Sequence, residues 1–193
     1  MHNAKLLLRV FVVLCCSGFA LGQMAAPPPA KTPGDALNAS LNSVEHEFVG
    51  AADAMPEDKY SFAPSNGEFK GVRTFAQQVK HVAAVNYIFG SAVLEEKPPV
   101  DTGEEKGPDA IKSKADIMKF LNDSFAYLHK ALGSVSSKNV IDQVPSPFGE
   151  NSKVSRLSLA SFSVAHPMDH YGQMVEYLRM NGIIPPASRP QNR

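Results

Sequence analysis

Four separate stretches of this chain carry apolar residues every three or four positions, and each is closed by proline or glycine. That spacing places the apolar side chains on one stripe of an α-helix. The first stretch is Leu37, Leu41, Val44, Phe48, Ala52 and Met55, ended by Pro56. The second runs from Val72 to Leu94, with Val72, Phe75, Val79, Val82, Phe89 and Val93 on its stripe and Pro98 and Pro99 beyond it. The third follows a cap at Ser113, turns Ile117, Phe120, Leu121, Ser124, Phe125, Leu128 and Leu132 inward, and stops at Gly133. The fourth spans Ser155 to Asn181, with Gly182, Pro185 and Pro186 after it. Four one-sided helices bury their stripes against one another, so the expected fold class is all-α, a four-helix bundle. The linker from Glu95 to Pro108 carries seven charged residues among its prolines and glycines. It is long enough to cross the bundle and leave the second and third helices parallel. Residues 134–154 are rich in turn formers, with a short strand expected within Asn139 to Val144.

The chain has 193 residues, and its start reads as a removable export signal. Lys5 and Arg9 precede an apolar run from Val10 to Cys16, and the small residues Ala20 and Gly22 follow. The expected divisions are a signal peptide over 1–22, a Pro-rich linker over 23–34, the bundle over 35–187 and a tail over 188–193. Cleavage would leave Gln23 first. The apolar run is shorter than the roughly 18 residues of a membrane span, so a permanent anchor is the weaker reading. A lipid-modified cysteine is weaker too, because Leu14 rather than a small residue precedes Cys15. These expectations make the protein periplasmic or secreted, with no stable membrane span after cleavage. Cys15 and Cys16 would leave with the signal, so disulfides, thiolate nucleophiles and Cys-based metal sites are not expected in the mature chain. With Lys5 and Arg9 removed, 17 basic residues face 19 acidic ones. That balance gives no reason to expect nucleic acid as a partner. No phosphate-cradling glycine loop or Gly-x-Ser-x-Gly elbow is present.

His166 and His170 stand four apart in the fourth helix, where two imidazoles project one turn apart from one face and can chelate a single ion. At 100° per residue the apolar arc of this helix is Leu157, Ala160, Val164, Tyr171, Met174, Val175 and Leu178. The opposite side holds Ser158, Ser161, Asp169, Glu176 and Arg179. The two histidines align with Gln173 and Tyr177 in a column between the two. The same spacing also arises for histidines that only pack or hydrogen-bond. His81, at the edge of the second helix's stripe, reads by itself more often as a satisfied structural residue than as a ligand. His46 and His129 fall off the stripes of their helices and are expected on the solvent side. Pro167, between the two histidines, removes a backbone hydrogen bond to Ser163 and is expected to kink the helix.

The run His166-Pro167-Met168-Asp169-His170-Tyr171-Gly172-Gln173-Met174-Val175-Glu176-Tyr177-Leu178-Arg179-Met180-Asn181-Gly182-Ile183-Ile184-Pro185-Pro186 resembles the closing signature of the DinB-like metal-binding bundles. Met55-Pro56-Glu57-Asp58-Lys59-Tyr60, with Phe62 and Pro64, and the histidine of Gln78-Val79-Lys80-His81 are similar to the same family. The resemblance covers residues 35–187. It implies an up-down-down-up bundle with its long crossover between the second and third helices. It also implies that His81, His166 and His170 take the family's metal-ligand positions.

Three neutral imidazoles would leave open positions on a divalent cation such as Zn, Ni or Fe. Such a centre would serve a metal-dependent transferase, isomerase or hydrolase of a small-molecule substrate. Gln173 and Tyr177 are candidates to support the ligands. The alternative is a non-catalytic bundle that binds a metal or a small ligand, and a homodimer is compatible with either. Characterised relatives use cytoplasmic low-molecular-weight thiols, which an exported member would not meet. Histidine's ordinary pKa of about 6.5 sets the pH near which protons are expected to displace the metal.

Overall fold

The computed structural model describes residues 29–149 and 151–190. The expected signal peptide, most of the linker and the last residues of the tail lie outside the described residues. Four α-helices dominate: α1 (Pro33–Ala54), α2 (Phe75–Leu94), α3 (Lys114–Gly133) and α4 (Arg156–Met180). A two-stranded antiparallel hairpin, β1 (Gln143–Pro145) and β2 (Lys153–Ser155), leads into α4. No helix among the described residues is long and apolar enough to cross a membrane.

The helix starts follow local hydrogen-bonding chemistry. Thr32 accepts from the Asp35 amide, and the Asp35 carboxylate accepts from the Thr32 amide, a reciprocal capping box with Pro33 in the first turn. The helix therefore begins at Pro33, before the expected end of the Pro-rich linker. Thr74 and Gln77 form a second capping box, which starts α2 at Phe75 and leaves Val72 in the preceding loop. Ser113 caps α3 as its position suggested, and Ser155 caps α4. The expected strand at 139–144 is found shifted, at 143–145. The Asn139 side chain accepts from the Ser136 amide and holds the preceding residues in a turn.

Contacts between the helices fix their directions. Near one end of α1 the Gly34 amide donates to Val135, and near the other Lys114 donates to the Asp53 carbonyl, so α1 and α3 run antiparallel. Asn86 meets Ser124 and Ser91 meets Tyr127, so α2 and α3 run parallel. Gln78 meets Gln173 while Arg156 donates to the Val93 carbonyl, so α2 and α4 run antiparallel. The order is up-down-down-up. α1 packs beside α3 and α4, and α2 packs beside α3 and α4.

Fourteen residues of α2 are buried, so this helix is enclosed by more than one neighbour. Its small residues allow close approach: a Cβ on Gly90 would lie 2.8 Å from the Tyr127 ring. The core is filled by Leu41, Phe48, Phe75, Leu121, Phe125, Leu128, Leu159, Met174 and Leu178, all nearly inaccessible to water. The Met55–Pro64 segment docks through its backbone. Tyr60 donates to the Ala52 carbonyl at 2.7 Å, and the Phe75 and Ala76 amides donate to the carbonyls of Phe62 and Tyr60.

A buried three-histidine cluster between two helices

The antiparallel pairing of α2 with α4 brings His81 against His166 and His170. Ring centroids are 5.2 Å apart for His81 and His166, 4.8 Å for His81 and His170, and 4.7 Å for His166 and His170. One ligand atom from each ring lies within 4.8 Å of the others. α4 is a single helix through Pro167, whose ring is buried, so no break separates the two histidines it carries. His46 is exposed on α1 and is not part of the cluster. His129 is half-buried rather than on the solvent side. Its ring nitrogens meet the Asn38 carboxamide oxygen at 2.7 Å and the Glu45 carboxylate at 2.9 Å, joining α3 to α1.

Two of the three rings have a defined proton position. The Glu105 carbonyl can only accept, so Nδ1 of His81, 2.8 Å away, is the protonated nitrogen. For His170 the assignment runs through a relay that ends on a carboxylate. Asp169 accepts from the Gln173 amide nitrogen at 3.3 Å, the Gln173 oxygen accepts from the Gln78 nitrogen at 2.8 Å, and the Gln78 oxygen faces Nδ1 of His170 at 2.7 Å. Every link has one orientation once Asp169 is fixed as an acceptor, so Nδ1 of His170 donates. In both rings the lone pair is left on Nε2. Nδ1 of His166 is buried with no hydrogen-bond partner among the described residues. A buried imidazole nitrogen without a partner is costly in an apolar setting, and coordination would satisfy it.

The surroundings keep the rings neutral. Burial pushes His166 down to about 3, and the neighbouring His170 and His81 add to the effect. Burial, with His81 next, pushes His170 down to about 4. Burial lowers His81 as well, opposed by its bond to Glu105. Arg73 contributes a smaller lowering to all three, and it ion-pairs at 3.7 Å with Glu105, whose carbonyl meets His81. Protons therefore compete for these nitrogens well below the ordinary histidine range, and the acid limit expected near 6.5 moves down with them.

The column of residues singled out on α4 divides here. Gln173 supports His170 through Gln78. Tyr177 instead donates to the Arg73 carbonyl at 3.0 Å and packs on Phe62. His81 and His170 are only 5% and 6% exposed, so they belong to the core rather than to its flank. The buried face of α4 runs through Arg156, Leu159, Ala160, Ser163, Pro167, His170, Met174, Tyr177 and Leu178. It is turned by roughly 60–70° from the apolar arc toward the histidines.

Two supporting groups carry no mark in the sequence pattern. Gln78 reads as one polar residue on a helix. The Glu105 carbonyl belongs to the highly charged crossover, part of which docks on α2. Gly103, Glu104 and Glu105 have φ of 56°, 50° and 68°, a left-handed turn closed by the Lys106 amide on Gly103 and the Gly107 amide on Thr102. Lys80 ties down its far end by donating to the Pro108 carbonyl at 2.7 Å.

Four helices in this order, with a buried histidine triad drawn from the second and fourth, define the class: a helical bundle built around a cluster able to hold a metal ion. The chain belongs to the DinB superfamily, whose family model matches residues 40–174. Among solved structures it is similar to a DinB-like protein from Bacillus subtilis, with a TM-score of 0.60 and 16% identity over 76% of this chain and 92% of that one. A DinB-like protein from Bacillus cereus gives a TM-score of 0.58 and 16% identity over 78% and 93%. At such identity these likenesses speak for the fold. No curated protein matches the sequence.

Proposed function

We propose that the protein is an exported DinB-family metalloprotein whose His81, His166 and His170 hold one divalent cation and act on a small molecule. The observation that carries the reading is the donor set. Three neutral imidazoles converge, with the lone pairs of two directed to Nε2 by outward hydrogen bonds and a buried nitrogen of the third left without a partner. Imidazole donors suit Zn, Ni and Fe, and three protein ligands leave coordination positions for water or substrate. A bound cation would supply Lewis-acid activation of a water or thiol nucleophile, the chemistry of a hydrolase, transferase or isomerase. The chain's own part is to hold His81 in one tautomer through Glu105 and His170 through Gln78, Gln173 and Asp169, and to exclude bulk water from the cluster. The absence of cysteine after residue 16 means that any thiol would come from a substrate. Export is supported by Lys5, Arg9, the apolar run and Ala20 with Gly22.

The test is metal analysis of protein purified without a histidine tag. The expected result is about one divalent ion per chain, lost in His81→Ala, His166→Ala and His170→Ala but kept in His46→Ala and His129→Ala. A stoichiometric metal that survives His166→Ala would overturn the assignment.

A further inference from the structure

Along the seam between α2 and α4 the side chains change character in a fixed order. At one end, Arg73, Lys80 and Lys106 line a cleft of about 600 Å³ with Asp109 and the outer faces of Gln78 and Gln173. The three histidines come next. At the other end stand Phe89, Phe148 and Phe162, with centroids 5.4–5.6 Å apart, edge to face. Phe89 and Phe162 also flank His166, at 5.6 and 6.3 Å. From Phe162 to Gln173, α4 rises roughly 16 Å.

Both ends are available to a ligand. Phe148 and Phe162 are 58% and 46% exposed, although each packs against the other and against Phe89. An exposed aromatic cluster beside a polar centre marks a surface for an apolar group. Arg73 has only a loose partner, Glu105 at 3.7 Å, and its side chain is 39% exposed. It stands beside a cluster that would become positive on taking up a metal, an unfavourable placement unless an anion joins them. Arg73, Lys80 and Lys106 against Asp109 and Glu105 leave about one net positive charge, which suits a monoanion better than a phosphate dianion.

We propose that this seam binds a small carboxylate with an apolar body: the carboxylate in the cleft at Arg73, the body against Phe148 and Phe162, and the intervening atoms over the histidines. The inference rests on the reading of the cluster as a reaction centre, but its two anchoring ends lie outside the metal ligands.

The experiment is a calorimetric titration of the full chain, metal-loaded and chelated, with ω-phenylalkanoates of increasing length and the matching ω-phenylalkanols. The carboxylates are expected to bind at least about fivefold more tightly than the alcohols. Arg73→Gln should abolish that preference while leaving alcohol binding and metal content unchanged, and Arg73→Lys should restore most of it. Phe162→Ser, a change at a half-exposed site, should weaken both series. Equal affinity for acids and alcohols would overturn the proposal. So would a preference for acids that is untouched in Arg73→Gln and vanishes on chelation, since that anion would sit on the metal. Retained preference in a chain that takes up no metal would instead defeat only the metal reading.

Discussion

Gln78 shows how one side chain can govern a site without belonging to its donor set. It is 2% exposed, accepts from His170 and donates to Gln173, so both ends of its carboxamide are committed. Replacing it with methionine keeps much of the volume but removes the acceptor, leaving a buried imidazole N–H unpaired at a cost of about 1–3 kcal/mol. The ring would then lose the bond that fixes its proton on Nδ1, and part of the population would turn its lone pair away from the cluster. Gln78→Met is therefore expected to weaken metal affinity by about 10–100-fold with all three histidines present. Competition against a chromophoric chelator measures this directly, and an unchanged affinity would show that the relay is incidental. Gln78→Glu is a useful contrast, because it preserves the acceptor toward His170 while it replaces the donor to Gln173 with an acceptor and adds a charge at a buried position.

Among the elements, α1 and α4 make opposite demands on their glycines. A Cβ on Gly34 would meet the Leu132 and Val135 carbonyl oxygens at 2.6 and 2.8 Å, where backbone cannot yield cheaply. Gly34→Ala is expected to destabilise the bundle by about 1–3 kcal/mol. Gly172 lies within α4 with nothing inside 4 Å of its notional Cβ. Gly172→Ala should therefore stabilise by up to about 1 kcal/mol through helix propensity. Urea denaturation of the two variants tests the pair, and destabilisation by Gly172→Ala would mean that the outer face of α4 is not open. The legibility of the helices follows the same difference in surroundings. α3 buries one clean stripe, and Ile117, Phe120, Leu121, Ser124, Phe125, Leu128 and Leu132 are all buried as their spacing indicates. α4 misleads because Arg156, Ser163 and His170 take buried positions while Leu157 stands 36% exposed. A hydrophobic arc cannot register polar residues whose partners come from another element, as for Arg156 and His170, or from their own helix's carbonyls, as for Ser163 on Ala160. The three histidines were legible through the family signature, but the Glu105 carbonyl was not, because a backbone acceptor leaves no residue type to recognise.

At the scale of the whole molecule, export and acid response are the remaining tests. If the leader is removed, intact mass of protein recovered outside the cytoplasm of a bacterial host should correspond to a chain beginning near Gln23, and a full-length cytosolic species would refute this. The acid response follows from the buried cluster. In the unfolded chain each histidine titrates near 6.5. In the folded, metal-free protein His170 is held at about 4 and His166 at about 3, and His81 is lowered too. Below pH 6.5 the unfolded state takes up protons that the folded state refuses, so stability is complete above that value and is lost as pH falls through 6.5 toward 4 and then 3. The slope should approach about 1.4 kcal/mol per pH unit for each ring that remains neutral. Asp35, whose carboxyl is lowered chiefly by the Lys31 amide, changes stability in the same direction but only below its usual value of 3.8, so it leaves the upper window to the histidines. Added metal should raise stability by a roughly constant amount across that window, because the folded cluster stays unprotonated there, and the gain should fade only as pH approaches the folded-state values of about 4 and 3. Chemical denaturation of chelated protein at a series of pH values reads the first effect. His166→Gln, which cannot take up the proton in either state, should flatten the curve by one ring's share. A stability that stays level from pH 7 to 4.5 in the unmodified chain would mean that these imidazoles protonate without unfolding and are not buried as a neutral set.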